Sequence, residues 1–274
     1  MIELDPSPNK SMLRSPFRKI TTFLLVYYAY MLEYRAELFF WVLSGSFPII
    51  LLGVWTEAAS QVTMALSATD FARYFITVFV VRQLTLVWVI WEFEKEVSQG
   101  KLSFALLQPI DPVWRHLASH VSERFARLPF SIALVALFFW LYPDAFWLPS
   151  LPTFLLFLLV TAIAFFTRFL MQYTFAMAAF WVEKVSATEQ IWFLFYVFLS
   201  GYIAPLETFP PLIREIALLT PFPYFIYFPA AILIGLPFRL WQGLLVMLVW
   251  SLLFYIINRY LWRKGLRHYS GMGA

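Results

Sequence analysis

The chain has 274 residues, of which 62% are hydrophobic, 13% charged and none cysteine, with a mean hydropathy of +0.74. Soluble domains carry about 25% charged residues, so the composition excludes a soluble globular protein, a disulfide scaffold and a thiolate metal site. The net charge of +4 is explained by basic residues retained on the cytosolic face of a membrane protein rather than by a nucleic-acid partner.

Residues 1–16 are polar and proline-dotted, without the apolar core and small-residue cleavage site of a secretory signal. A disordered tail is expected there, followed by one transmembrane domain over 17–274. A helix over 17–36 has an apolar core, Ile20 to Leu32, of 13 residues, against the roughly 20 that a crossing needs. Its basic entry (Arg18, Lys19) and its tyrosines suit the headgroup level, so it is predicted to lie in the cytosolic interface.

The first crossing is predicted over Leu38 to Trp55, kinked at Pro48, and is followed by a polar loop to Asp70 without Lys or Arg. A second, Phe71 to Trp91, enters the most charged stretch of the chain, EFEKEVSQGKLSFALLQPIDP from Glu92 to Pro112. A basic helix from Pro112 to Leu128 leads into a third crossing, Pro129 to Tyr142. The fourth covers Thr153 to Val182 and the fifth Ile191 to Ala204, broken by Pro205. The connection 205–239 holds a short polar helix (Pro211 to Leu219) and an apolar piece, Tyr224 to Leu236, too short to cross. A re-entrant hairpin is predicted, since such backbone survives at membrane depth only against protein or a wet cavity. The last crossing is Leu240 to Leu261.

Six crossings put both ends on one side. Fifteen of the twenty Lys and Arg residues then fall on the side of the termini, of 92–127 and of the Lys184 turn, which makes that side cytosolic. A seventh crossing through Ile20–Leu32 would export a terminal basic cluster. WEFEKEVS and WVEKVSATE echo one another at two helix ends, but no inverted repeat of the secondary-transporter kind is present.

Catalytic signals are absent. No GxxxxGK(S/T) phosphate loop occurs, and no Ser/His/Asp arrangement stands out. His116 and His120 are spaced i, i+4 but lack the further ligands a metal site needs, and read as surface histidines of a cytosolic helix. The chain is expected not to be an enzyme and to carry no cofactor or metal.

Two arginines lie near the middle of predicted crossings, Arg82 beside Gln83 and Arg168 one turn before Gln172. An arginine there costs about 2.5–3.5 kcal/mol on insertion scales, and no carboxylate is predicted at matching depth. Two readings follow: a cationic substrate path for an anionic or polar headgroup, or guanidiniums that cap carbonyls or stack on the abundant aromatics. The rich aromatic content itself fits interfacial belts and core filling.

In the charged stretch, Glu92, Glu94 and Glu96 close a helix and Gly100 permits a reversal. Leu102, Leu106 and Leu107 are predicted to present an apolar face, and Pro109, Asp111 and Pro112 stop it. An apolar face flanked by charges suits a partner's groove; the alternative is that these leucines fold back onto the membrane surface.

This stretch, together with GYIAPLETFPPLIREIALLTPFPY after the fifth crossing, resembles the permease subunits of type-2 ABC exporters, in particular a bacterial branch of short six-span permeases. The resemblance covers nearly the whole chain. It implies an all-α integral membrane fold of six transmembrane helices with an N-terminal interfacial helix, a coupling helix after the second and an external re-entrant hairpin between the fifth and sixth. It also implies two ATPase subunits, which would carry the ATP and Mg, docked on Glu92–Pro112, and a second permease, the same chain or a related one. Tyr202, Pro205, Pro221 and Pro223 would belong to an outer gate, in a multi-pass protein of the bacterial inner membrane with cytosolic termini and lipid around it. Substrate identity does not transfer. The competing readings are a non-transporting membrane scaffold that recruits a cytosolic partner and, behind it, a proton-coupled transporter, disfavoured because no acidic residue is predicted mid-span.

Overall fold

The computed structural model describes residues 16–61 and 66–271, all of whose regular elements are helices. The tail expected over 1–16 therefore lies almost wholly outside the described residues, as do the side chains of Arg18 and Lys19. Among the described residues, five helical stretches are long and apolar enough to cross a membrane: Arg35–Ala59, Ala68–Ser98, Pro112–Leu141, Leu151–Phe180 and Leu240–Tyr269.

Helix α1 (Pro16–Glu33) lies against α7 (Pro112–Leu141), and the Ser122 hydroxyl donates to the Leu24 carbonyl at 2.9 Å. The first crossing is two helices, α2 (Arg35–Ser44) and α3 (Phe47–Gln61). The break falls at Gly45–Ser46, not at Pro48. Pro48 sits in the first turn of α3, where its missing N–H costs nothing. A Cβ on Gly45 would lie 2.6 Å from Gln83 Nε2 and 2.7 Å from Arg82 Nη1, so glycine is what lets these side chains reach the broken turn.

Helix α4 (Ala68–Thr85) starts from a capping box in which Ser67 and Asp70 satisfy each other's backbone N–H. Phe71 to Phe79 are buried on almost every face except Arg73, so α4 is the central helix. The chain unwinds over Leu86–Trp88, a break the sequence reading did not place, and resumes as α5 (Val89–Ser98) and α6 (Lys101–Leu106). Helix α7 runs unbroken through Pro129, joining the predicted basic helix to the third crossing.

Helix α8 (Leu151–Ala176) is capped by Ser150, and α9 (Ser186–Leu199) lies where the fifth crossing is predicted. Its 14 residues rise about 21 Å, short of the roughly 30 Å of a hydrocarbon core, and it is not one of the five stretches above. Helices α10 (Pro211–Leu219) and α11 (Tyr227–Ile234) make the hairpin before the long α12 (Leu240–Gly271). Helix α11 packs between α4 and α8 with Tyr227 to Ile232 buried, so the piece too short to cross is enclosed by protein, the packing that a re-entrant segment needs.

The core has two parts. One, built on α4 and α11, lies toward the hairpin. The other, around Phe93, Leu102, Tyr173, Phe180 and Tyr269, lies toward α5 and α6.

Candidate functional site

The predicted coupling residues form one compact corner. Gly100 turns α5 into α6 at φ +69°, with nothing within 4 Å of an added Cβ. It is the left-handed backbone, not crowding, that calls for glycine here. The two sides of α6 differ from the sequence reading. Leu102 is fully buried, packed with Phe93, Phe180 and Tyr269, an anchor worth about 1.5–3 kcal/mol. Its place on the open face is taken by Phe104, 73% exposed, alongside Leu107 at 83% and Leu106 at 38%. A six-residue helix shows too little periodicity to separate the two faces in advance.

Three polar contacts tie this corner to the crossings. Glu94 accepts from the Ser186 N–H at 2.6 Å and from its hydroxyl at 3.3 Å, filling the orphan donor at the start of α9. Asp111 caps α7 by accepting from the Val113 N–H at 3.1 Å, and it accepts from Arg259 of α12 at 3.2 Å. The hydroxyls of Ser103 and Tyr269 lie 3.0 Å apart. Pro112 opens α7 and is buried, whereas Pro109 stays exposed.

His116 and His120 are not on the surface, being 4% and 1% exposed. His116 Nδ1 lies 3.3 Å from Glu92 and its Nε2 3.2 Å from Glu96, which also pairs with Arg115. His120 Nε2 accepts the Trp88 N–H at 2.9 Å, and its Nδ1 lies 2.8 Å from the His116 carbonyl. Those partners fix the tautomer: Nδ1 carries the proton and Nε2 does not. Arg124 donates to the carbonyls of Leu84 and Leu86 and of His120. Backbone groups freed by the break at Leu86–Trp88 are thus taken up by side chains of α7, making a joint between α4 and α5. The sequence signal was the basic and imidazole face of RHLASHVSER, one turn apart at 116, 120 and 124.

Deeper in the bundle, Arg168 is 2% exposed. Its guanidinium sits 4.4 Å from the Tyr196 ring centroid and 5.1 Å from that of Trp192. Arg82 lies over Tyr202 at 5.5 Å, and Tyr202 neighbours Tyr196 at 6.0 Å. The stacked reading is therefore observed for both arginines, in a run Arg82, Tyr202, Tyr196, Arg168, Trp192. Gln83 donates to the Val42 carbonyl at 3.2 Å, a structural role at the break of the first crossing.

Stacking does not satisfy this cluster. Nε and Nη1 of Arg168, Oε1 of Gln172 and Oη of Tyr196 are buried without a hydrogen-bond partner among the described residues. The expectation that no carboxylate shares this depth is corrected by Glu189. It is 6% exposed and accepts from Gln172 at 3.2 Å, because α9 begins five residues earlier than read from the sequence.

The predicted gate residues Tyr202, Pro205, Pro221 and Pro223 are all buried. Around them, Tyr74 donates to the Gly201 carbonyl at 2.6 Å, Trp55 to that of Ile203 at 2.9 Å, and the Tyr227 N–H to that of Ser200 at 3.0 Å. The structure brings Tyr202 to Arg82, linking this layer to the arginine run.

Residues 31–273 match the family described as ABC-2 family transporter protein. No curated protein matches the chain.

Proposed function

The chain belongs to the ABC-2 family of transporter proteins, and from that premise we propose that it is the permease through which a separate ATPase drives export. The family match supports a membrane permease that works with an ATP-binding subunit. The finer reading is two such subunits, holding ATP and Mg, on a pair of permeases of this chain or a related one. The setting is the bacterial inner membrane with both termini cytosolic.

The observation that carries this reading is the corner α5–α6–α7, anchored inward by Leu102 and open outward at Phe104 and Leu107. It is tied to α9 through Glu94 and to α12 through Asp111. A push on α6 reaches two crossings through contacts of 2.6 and 3.2 Å, while the joint at Leu86–Trp88 lets α5 turn relative to α4. Closure of the ATPase dimer would rock these crossings and open a path at the permease interface. The unsatisfied donors of Arg168, beside Gln172, support a polar or anionic headgroup as cargo.

Affinity purification from native membranes tests the reading. A chain bearing a GxxxxGK(S/T) loop should co-purify with wild type and be lost from a Phe104→Asp/Leu107→Asp variant. Retention by that variant, or no such chain under conditions that hold a known exporter together, contradicts it.

A further inference from the structure

Beside the joint, between the α1–α2 elbow, α5 and α7, lies a cavity of about 490 Å³, within the range of small-ligand sites. Its aromatic wall is made by Tyr30, Tyr34, Trp41, Trp88 and Trp91. The tryptophans form a continuous run, with ring centroids 5.2 Å apart for Trp41–Trp88 and 5.6 Å for Trp88–Trp91. The rings are not consumed by packing: Tyr30, Tyr34, Trp41 and Trp91 are 55%, 46%, 45% and 40% exposed.

An interfacial belt would account for tryptophan and tyrosine at this level, but belts facing anionic headgroups favour basic neighbours. This cavity is lined instead by three carboxylates, Glu37, Glu92 and Glu123, and one arginine, Arg127. Arg127 is paired to Glu123, and Glu92 lies against His116. Glu37 has no cationic partner among the described residues. Its carboxylate is held by the Trp41 indole N–H at 3.1 Å, which fixes it beside the ring wall. Electron-rich ring faces with an uncompensated carboxylate form a receptor for an organic cation.

We propose that this cavity binds a substituted ammonium or comparable organic cation, borne by a lipid headgroup or by a free solute. It stands apart from the Arg168 path and does not depend on ATP-driven export.

The test uses the full chain in phosphatidylglycerol nanodiscs and measures saturable binding of radiolabelled tetraphenylphosphonium over empty nanodiscs. Tetraphenylborate, nearly the same shape with opposite charge, is the control. The cation should bind at least about tenfold tighter than the anion. Glu37→Gln and Trp91→Leu should each weaken it about tenfold, and Trp91→Phe by less. Both positions are exposed, and a single monodisperse peak checks that the variants fold. Competition by added phosphatidylcholine assigns a lipid headgroup, and competition by tetramethylammonium alone assigns a free cation. Equal binding of the two tetraphenyl ions, no saturable cation binding, or unchanged affinity in the folded variants overturns the proposal.

Discussion

The Glu94 carboxylate accepts the Ser186 backbone N–H at 2.6 Å, so a residue of the charged stretch caps α9 across 92 positions of sequence. Helix starts favour an anionic acceptor because their first N–H groups have no partner within the helix.

Glu94→Ala should therefore cost about 1 kcal/mol of stability, and ATP hydrolysis by the assembled complex should lose its link to transport. Ser186→Ala keeps the N–H and should be mild. Thermal unfolding in detergent, with ATPase and efflux assays on the same preparations, separates the two. Equal effects from both substitutions would show that the contact carries no load.

His120 should act on the joint. His120→Ala leaves the Trp88 N–H without its acceptor, at about 1–3 kcal/mol. His120→Gln can restore an acceptor and should recover part of that loss. Local hydrogen exchange at residues 86–89 reads the effect directly, and unchanged protection in the alanine variant would refute the assignment.

Two glycines with left-handed backbone should respond unequally. At Gly201, φ is +84°, and an added Cβ would lie 2.6 Å from Tyr74 Oη and 2.7 Å from Tyr227 Cβ. Gly201→Ala should cost about 2–5 kcal/mol from strain and overpacking together. Gly100→Ala meets open space and should cost about 1 kcal/mol. Yield of folded protein and melting temperature rank them, and the reverse order would contradict the packing described.

Arg168→Gln should leave basal ATP hydrolysis of the complex in place and reduce export by about tenfold, since a charged group's hydrogen bonds are worth about 1.5–3 kcal/mol. Compounds that cells retain when the chain is deleted supply the readout: wild type should clear them and the variant should not. Full clearance by a folded variant leaves Arg168 with its stacking role on Tyr196 alone.

Much of this architecture is legible in the sequence because lipid imposes simple demands. Apolar length locates the crossings, Gly100 the reversal, Asp111–Pro112 the start of α7, and proline-flanked Tyr224–Leu236 the hairpin. What could not be read depends on distant partners. The break at Leu86–Trp88 falls in an apolar run without glycine or proline and exists because His120 and Arg124 take up its backbone groups. Leu102 sits in the first turn of α6 and Leu107 caps its end, and only the position of Phe93, Phe180 and Tyr269 decides which is buried. Glu189 looks like part of a polar turn until α9 is seen to start at Ser186. The burial of His116 and His120 has the same origin, since Glu92 and Glu96 reach His116, and Glu92 reaches His120, from another helix.

In the proposed exporter, α6 meets an ATPase through its outer face. The chain has no cysteine, so single-cysteine cross-linking reads that face without background. Cysteines at Phe104 and Leu107, 73% and 83% exposed, should cross-link to the ATPase in native membranes, and one at Leu102, 0% exposed, should not. Cross-links at Leu102 but not at Leu107, or none at Phe104 and Leu107 in a complex that still hydrolyses ATP, would contradict the account.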